Sequence, residues 1–228
     1  MSEADREAEA AIVELLRAER PDDGLLAEEG ASVEGASGRR WVVDPLDGTT
    51  NYLYGIRQWA VSVALEDGDG PLAGVVFDPV AGELFAAARG GGSRLLRNAQ
   101  QGEPTSTEPL RVRGGASLAR SLIATGFGYD AARRRVQART AAHVLPRVRD
   151  IRRAGAAALD LAWLAAGRLD GYWERGPKTW DWAAGRLLVT EAGGALAELS
   201  GEPYGMAAAA PDLLPDLVEL LREAEGTP

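Results

Sequence analysis

Two aspartates follow an apolar run in the segment 41–52, which reads WVVDPLDGTTNY. The bulky and β-branched residues 41–43 are typical of a buried strand, and Pro45 lacks the N–H that a strand ladder needs. We therefore expect strand pairing to end just after Asp44. Asp44 and Asp47 would then lie at the carboxyl end of a strand, which faces the ligand crevice in layered α/β proteins. Carboxylate oxygens in this position suit a hard cation such as magnesium.

The residues that follow, Gly48 and Thr49, suit an anion. Their backbone N–H groups can approach a phosphate closely, especially if a helix begins there. The alternative is a plain turn, because Asp, Pro, Gly, Thr and Asn are ordinary turn residues and an isolated D-x-x-D is usually solvated.

Two further acidic clusters weigh against a plain turn. Glu28 and Glu29 close a short apolar run, and in an extended segment only one of them can face the two aspartates. Asp181 opens a helical pattern over 181–192 that stops at two glycines. Its structural alternative is to complement the dipole of that helix.

In combination, the acidic pair, DPLDGTTN, WDWAAG and TEAGG resemble the inositol monophosphatase family. The similarity continues through residues 151–161 and 169–174 and covers nearly the whole chain. It implies an α/β (α+β) fold, a layered αβαβα sandwich shared with fructose bisphosphatases. We expect one unit over 1–228, with halves at about 1–110 and 111–228 that meet near 98–109. Family members usually carry another helix and a mobile loop before the segment that matches residues 2–5, so that front piece is expected to be missing here.

The resemblance also implies a role for individual residues. Two magnesium ions would be held by Glu28, Asp44, the carbonyl of Leu46, Asp47 and Asp181. In the family the front piece can contribute to a third, weaker magnesium site, and whether this chain has that site is left open. The catalytic group would consist of Glu28, Thr49 and, behind the threonine, Asp5. Gly48 and Thr49 would hold the phosphate. The substrate alcohol would contact Asp47, Ala157, Glu174 and Asp181.

The implied reaction is magnesium-dependent hydrolysis of a small phosphate monoester by activated water, without a covalent intermediate. Inositol 1-phosphate is the leading substrate, and lithium should inhibit. Adenosine bisphosphate nucleotidase, fructose bisphosphatase and histidinol phosphatase are alternatives with the same metal chemistry. An alternative of another class is a noncatalytic regulator that binds metal or phosphate.

Composition excludes several other mechanisms and partners. The chain has no cysteine, which excludes a cysteine-based phosphatase, and its one histidine, His143, lies in a predicted helix end where packing is the simpler role. A net charge of −9 argues against a nucleic-acid partner, and we interpret the arginines at 133–135 and 147–153 as solvated helix faces. No apolar run suggests a membrane partner. We expect a cytoplasmic homodimer that acts on a phosphorylated metabolite.

The hydrophobic pattern predicts mixed α and β elements. A helix over 4–20 would bury one face that carries Ala8, Ile12, Leu15 and Leu16, with Ser2 and Asp5 as a capping box. Strands are predicted at 41–44, 59–66, 71–79, 83–88, 121–125, 169–174, 195–199 and 205–210. Further helices are predicted at 131–144, 155–166, 181–192 and 211–224.

Overall fold

The structure, a computed structural model, describes residues 2–98 and 104–226. The α-helices in these ranges are Glu3–Glu19 (α1), Thr49–Leu53 (α2), Ala131–Val144 (α3), Ala157–Ala165 (α4), Thr179–Glu191 (α5) and Leu214–Gly226 (α6). Short 3-10 turns lie at Leu118–Arg120 and Leu145–Arg147. None of the helices within the described ranges is long and apolar enough to cross a membrane.

The strands form two sheets. They are Gly24–Ala27 (β1), Ser32–Val33 (β2), Arg40–Asp47 (β3), Ala60–Asp67 (β4), Gly70–Asp78 (β5), Glu83–Ala88 (β6), Gly92–Arg97 (β7), Ser106–Pro109 (β8), Leu122–Thr125 (β9), Asp150–Arg152 (β10), Gly171–Arg175 (β11), Ala195–Leu199 (β12) and Gly205–Ala209 (β13). The first sheet has the order β2-β1-β3-β4-β5-β6-β7-β8, and only β1 and β3 pair in parallel. The second has the order β10-β9-β11-β13-β12, in which β9, β10 and β11 are parallel.

Helices and sheets alternate as layers. Helix α1 packs against β3, and α5 packs against β3, β4, β5 and β6 from the other face of the first sheet. Helix α4 contacts α5 and also β9 and β11 of the second sheet, whereas α3 and α6 pack together with α6 against β12 and β13. The predicted layered α/β sandwich is confirmed.

The largest core joins the two sheets through the helices between them. It contains Val76 and Phe85 from the first sheet, Leu161 from α4, Leu188 from α5 and Ala208 from the second sheet. Apart from Asp160, helix α4 is apolar all round, as expected for a helix covered on both sides. A second cluster lies under α6, and a third joins α1 to β1 and β3.

The first helix is close to its predicted bounds and its capping box is present. The Asp5 N–H donates to Ser2 Oγ at 3.3 Å, and the Ser2 N–H donates to the Asp5 carboxyl. The predicted buried face is wrong for Leu15, which is 62% exposed. Ile12 and Leu16 pack toward the sheet as predicted. The same face also carries Asp5, Glu9 and Val13, because the two acids have partners in the neighbouring loops.

Other differences follow from backbone conformation and from short strands. The predicted helix over 155–166 begins at Ala157, since Gly155 has φ +95° and is excluded from a right-handed helix. The prediction missed the short strands β1, β2 and β10 and the hairpin of β7 and β8. Strand β8 lies within the polar stretch 98–109, and residues 99–103 of that stretch lie outside the described residues. How the chain divides into halves stays a prediction.

Close contact between α4 and α5 generates the first testable prediction. An added Cβ at Gly185 would lie 2.6 Å from Leu161 Cβ, so Gly185→Ala must push the two helices apart. We expect a loss of about 1–3 kcal/mol in the free energy of unfolding, the usual cost of overpacking a core. Urea denaturation measures it.

The matched control is Gly68→Ala. Gly68 has no atom within 4 Å of an added Cβ. We expect this variant to stay within about 0.5 kcal/mol of the unaltered chain, as surface substitutions usually do. Equal stability of the two alanine variants would contradict the packing argument.

Candidate active site

The carboxyl end of β3 carries the first two acids of the site. Asp44 and Asp47 are buried, and the pairing of β3 with β4 shifts register between them. The prediction that pairing ends just after Asp44 is wrong, because it resumes at Asp47 opposite Ala60. Pro45 lies in the bulge between the two paired positions, so its missing N–H costs no ladder hydrogen bond.

One oxygen of each aspartate is fixed by a backbone N–H. Asp44 Oδ1 accepts from Leu46 N at 3.0 Å, and Asp47 Oδ2 accepts from Ala158 N at 2.7 Å in the first turn of α4. Asp181 Oδ2 accepts from Lys178 N at 2.6 Å at the start of α5. These bonds orient the carboxyl groups and leave the second oxygen of each for a ligand.

The acids meet in a cavity of about 440 Å³. Nine of the ten predicted site residues line it: Glu28, Asp44, Leu46, Asp47, Gly48, Thr49, Ala157, Glu174 and Asp181. Glu29 also lines the cavity, but among the pair only Glu28 acts electrostatically on Asp44, and Glu29 lies near Asp5 and Glu9. The pKa of Asp44 is raised in part by the neighbouring Glu28 carboxyl, which is consistent with a position of Glu28 beside the two aspartates.

The tenth predicted residue, Asp5, lies behind the cavity wall. It is fully buried, and its Oδ1 accepts a hydrogen bond of 3.1 Å from the Thr49 hydroxyl. The same hydroxyl lies 3.2 Å from the carbonyl oxygen of Leu46. Burial opposes the charge of Asp5, but hydrogen bonds from Ser2 and Thr49 outweigh burial and lower its pKa. Asp5 therefore accepts the hydrogen bond that the Thr49 hydroxyl donates. The lone pairs of the threonine oxygen can then accept a hydrogen bond from another donor.

Gly48 is required by the backbone at the start of α2. Its φ is +94°, and an added Cβ would lie 3.0 Å from the Gln58 carbonyl oxygen and 3.3 Å from Ala156 Cβ. A side chain is excluded on both counts. Gly48 lines the cavity, and no side chain of its own covers its backbone there.

Burial and mutual repulsion raise the pKa of the acids. The pKa values of Asp44 and Asp47 lie well above the usual range, first because of burial and then because of neighbouring carboxyls. Burial raises the pKa of Asp181 to about 6 and that of Glu174 to about 7. The pKa of Glu28 is also raised, by burial of its carboxyl and by Asp181 nearby.

This donor set fits a hard divalent cation. The raised pKa values show that nearby positive charges do not offset the burial and mutual repulsion of these carboxyl groups. Carboxyl oxygens are also the ligands that magnesium prefers. Over residues 2–98 and 104–226, no three acidic or histidine side chains are already closed into a complete ligand set. The acids of the expected ligand set line one cavity, but their oxygens would have to move closer together to bind a single cation.

The structure adds supporting residues that the sequence reasoning missed. Glu9 of α1 accepts hydrogen bonds from Glu29 N at 2.9 Å and Ala31 N at 3.2 Å, which fixes the loop that carries Glu28. Asn51 Nδ2 donates to Gln58 O at 2.6 Å and Ala154 O at 2.8 Å, which ties α2 to the segment before α4. Asn51 belongs to the DGTTN motif, whereas Glu9 carries no local sequence signal.

Three basic side chains line the same cavity: Arg133, Arg153 and Lys178. The interpretation of the arginine clusters as solvated helix faces is therefore wrong for Arg133 and Arg153. Their positions follow from the packing of α3 and from the turn before α4, which the charge pattern alone does not show.

The sequence profile of the inositol monophosphatase family matches residues 1–224. The chain belongs to the inositol monophosphatase family. An inositol-1-monophosphatase of Rhizobium meliloti is 46% identical over 199 residues, which are 85% of this chain and 70% of that protein. The solved structure of Mycobacterium tuberculosis SuhB is 40% identical, with a TM-score of 0.86 over 97% of this chain and 84% of that chain.

A third relative carries a different description. The protein of Xylella fastidiosa called Nus factor SuhB is 42% identical over 201 residues, which are 88% of this chain and 69% of that protein. Membership of the inositol monophosphatase family makes the chain a phosphoric monoester hydrolase, and the family is generally metal-dependent.

The raised pKa of Glu174 generates a prediction about stability and pH. The carboxyl has a folded pKa of about 7 against 4.5 for the ordinary group, so the folded state binds more protons in this interval. Its contribution to stability is full below pH 4.5 and is lost as pH rises through 7. In EDTA, the free energy of unfolding should fall by about 3 kcal/mol more for the unaltered chain than for Glu174→Gln between pH 4.5 and 8.

Urea denaturation at several pH values measures this difference. Glu198→Gln is the control, since Glu198 is exposed on β12 and should leave the pH dependence unchanged. Parallel curves for the unaltered chain and Glu174→Gln would show that burial does not raise this pKa.

Proposed function

We propose that the chain hydrolyses the phosphate monoester of a small polyhydric alcohol, with inositol 1-phosphate as the leading substrate. One observation carries the proposal: acids from three distant segments, at residues 28, 44–47 and 181, line one cavity beside Gly48 and Thr49. Family membership supports the reaction class. The substrate is supported by the names of relatives such as the Rhizobium meliloti protein.

The metal chemistry belongs to this proposal. Two magnesium ions, when bound, would supply the positive charge that lowers the pKa of the attacking water and stabilises the leaving alkoxide. The proposed ligands are Glu28, Asp44, the Leu46 carbonyl, Asp47 and Asp181. For each aspartate, the oxygen that is not held by a backbone N–H is the one available for this role.

Thr49 and Asp5 would orient the nucleophile. The Thr49 hydroxyl donates to Asp5, so its oxygen can accept a hydrogen bond from a water molecule in the cavity. That hydrogen bond would turn a lone pair of the water toward phosphorus. Glu28, at the mouth of the cavity, would polarise the same water, and attack would be in line with the leaving oxygen.

The remaining residues would hold the substrate. The backbone N–H groups of Gly48 and Thr49 would bind the phosphate oxygens. Glu174, Asp47, Asp181 and the backbone at Ala157 would contact the hydroxyl groups of the alcohol. These contacts set substrate preference, whereas the metal ligands set the rate.

There are two kinds of alternative function: other phosphatase activities with the same metal chemistry, and a regulatory role without catalytic turnover. If the chain were a nucleotidase, a fructose bisphosphatase or a histidinol phosphatase, the metal chemistry would be the same and the alcohol part of the substrate would differ. A regulatory role is a second candidate, since the Xylella fastidiosa relative is called Nus factor SuhB. The expectations of a cytoplasmic homodimer and of no nucleic-acid partner stay predictions.

A phosphate-release assay tests the reaction and the role of Asp181. We expect turnover of inositol 1-phosphate with magnesium and none with EDTA. Asp181→Asn removes one negative charge from the proposed metal site, and kcat should fall by about 100-fold or more, as when an electrostatic group essential to catalysis is removed. Circular dichroism should show an unchanged fold.

Asp150→Asn is the control for Asp181→Asn. Asp150 is ion-paired with Arg152 on an edge strand away from the cavity, and its substitution should leave kcat unchanged. Phosphate binding without release of phosphate from any ester would favour the regulatory candidate.

Lithium inhibition tests the assignment to the inositol phosphatase branch. An ion of similar size but half the charge of magnesium should occupy a magnesium site without stabilising the developing charge. We expect lithium chloride to lower turnover at saturating magnesium, and an equal concentration of sodium chloride to have little effect. Equal responses to the two salts would point to another branch of the superfamily.

A further inference from the structure

Asp160 is a buried acid of the cavity to which the family motifs give no role. It lies in the first turn of α4, is 1% exposed and lines the cavity of the candidate site. Its Oδ1 is buried and has no hydrogen-bond partner among the residues that the structure describes. A buried acceptor without a partner costs about 1–3 kcal/mol, so a fold keeps it where a ligand or water fills the need.

Burial alone does not explain the missing partner. Asp170 is equally buried, at 2% exposed, but its Oδ1 accepts from Arg113 Nε at 2.8 Å and its Oδ2 from Leu122 N at 2.7 Å. This chain therefore satisfies a buried aspartate that lies outside the cavity. Asp160, which lines the cavity, keeps a buried oxygen that has no partner among the described residues.

The surroundings of Asp160 are rigid and polar. Glu174, which acts electrostatically on Asp160, accepts a 2.8 Å hydrogen bond from the Tyr172 hydroxyl. The Glu174 carboxyl lies against Gly126, where an added Cβ would overlap it. Asp47 accepts from Ala158 N, two residues before Asp160. Both acids are already engaged as acceptors, and neither has a hydrogen bond to Asp160 among the described residues.

We propose that Asp160 binds a hydroxyl group of the substrate alcohol and so sets a preference for phosphates of polyhydric alcohols. The inference rests on the proposed function and adds a specificity-determining residue to it. A hydroxyl group can donate to Asp160 Oδ1 and supply the missing partner. A phosphate ester whose alcohol part carries no further hydroxyl group leaves Asp160 Oδ1 without a partner, so Asp160 does not strengthen its binding.

The test compares two substrates in magnesium, inositol 1-phosphate and p-nitrophenyl phosphate, whose alcohol part has no further hydroxyl group. Asp160→Leu keeps the approximate volume and removes the acceptor. We expect the ratio of kcat/KM for inositol 1-phosphate over p-nitrophenyl phosphate to fall about tenfold, the worth of one hydrogen bond. Asp160→Asn keeps an oxygen acceptor, and its ratio should stay within about threefold of the unaltered chain.

Asp170→Asn is the matched control, since it alters a buried aspartate outside the cavity and should leave the ratio unchanged. Equal loss on both substrates in Asp160→Leu, or no loss on either, would overturn the inference while the proposed function stands. Absence of turnover of both esters by the unaltered chain would overturn the proposed function together with this inference.

Discussion

Repulsion between crowded carboxyl groups is the constraint on which the rest of this structure depends. Glu28, Asp44, Asp47 and Asp181 border one cavity, and burial raises the pKa of each. Like charges in a low-dielectric site separate unless the backbone holds them. The three aspartates are held by N–H groups of Leu46, Ala158 and Lys178, and each of these belongs to a different part of the chain. The raised pKa values are the electrostatic cost of a site that suits a divalent cation.

The layered fold provides that backbone. Helices α4 and α5 lie between the sheets, and the first turn of each reaches the cavity, where it presents a backbone N–H or an acid. The core that joins the sheets, with Phe85, Leu161 and Leu188, fixes the two helices against each other. Because the acids come from β3 on one sheet and from α5 between the sheets, movement of either layer would separate them.

Under the proposed function, the cavity divides into a phosphate end and an alcohol end that share residues. The acids of β3 and α5 and the pair of Thr49 and Asp5 would act at the phosphate end, although Asp47 and Asp181 would also contact the alcohol. Glu174 and Asp160 would act on the alcohol alone, and the Tyr172 hydroxyl donates to Glu174. Substitutions at Glu174 or Asp160 would therefore change the preference for the alcohol and leave the proposed metal ligands in place.

Local sequence determined the elements and the motifs. Alternating and helical hydrophobic patterns placed most strands and helices within two or three residues, and DPLDGTTN and WDWAAG identified the acids of the site. Strand β10 is three residues long, and such edge strands carry too little pattern to be recognised. The bulge after Asp44, the inward turn of Arg153, the support of Glu9 and the unpartnered oxygen of Asp160 were decided only by the tertiary structure. Each depends on a contact between residues distant in sequence, and such contacts leave no periodic or local signal in the chain.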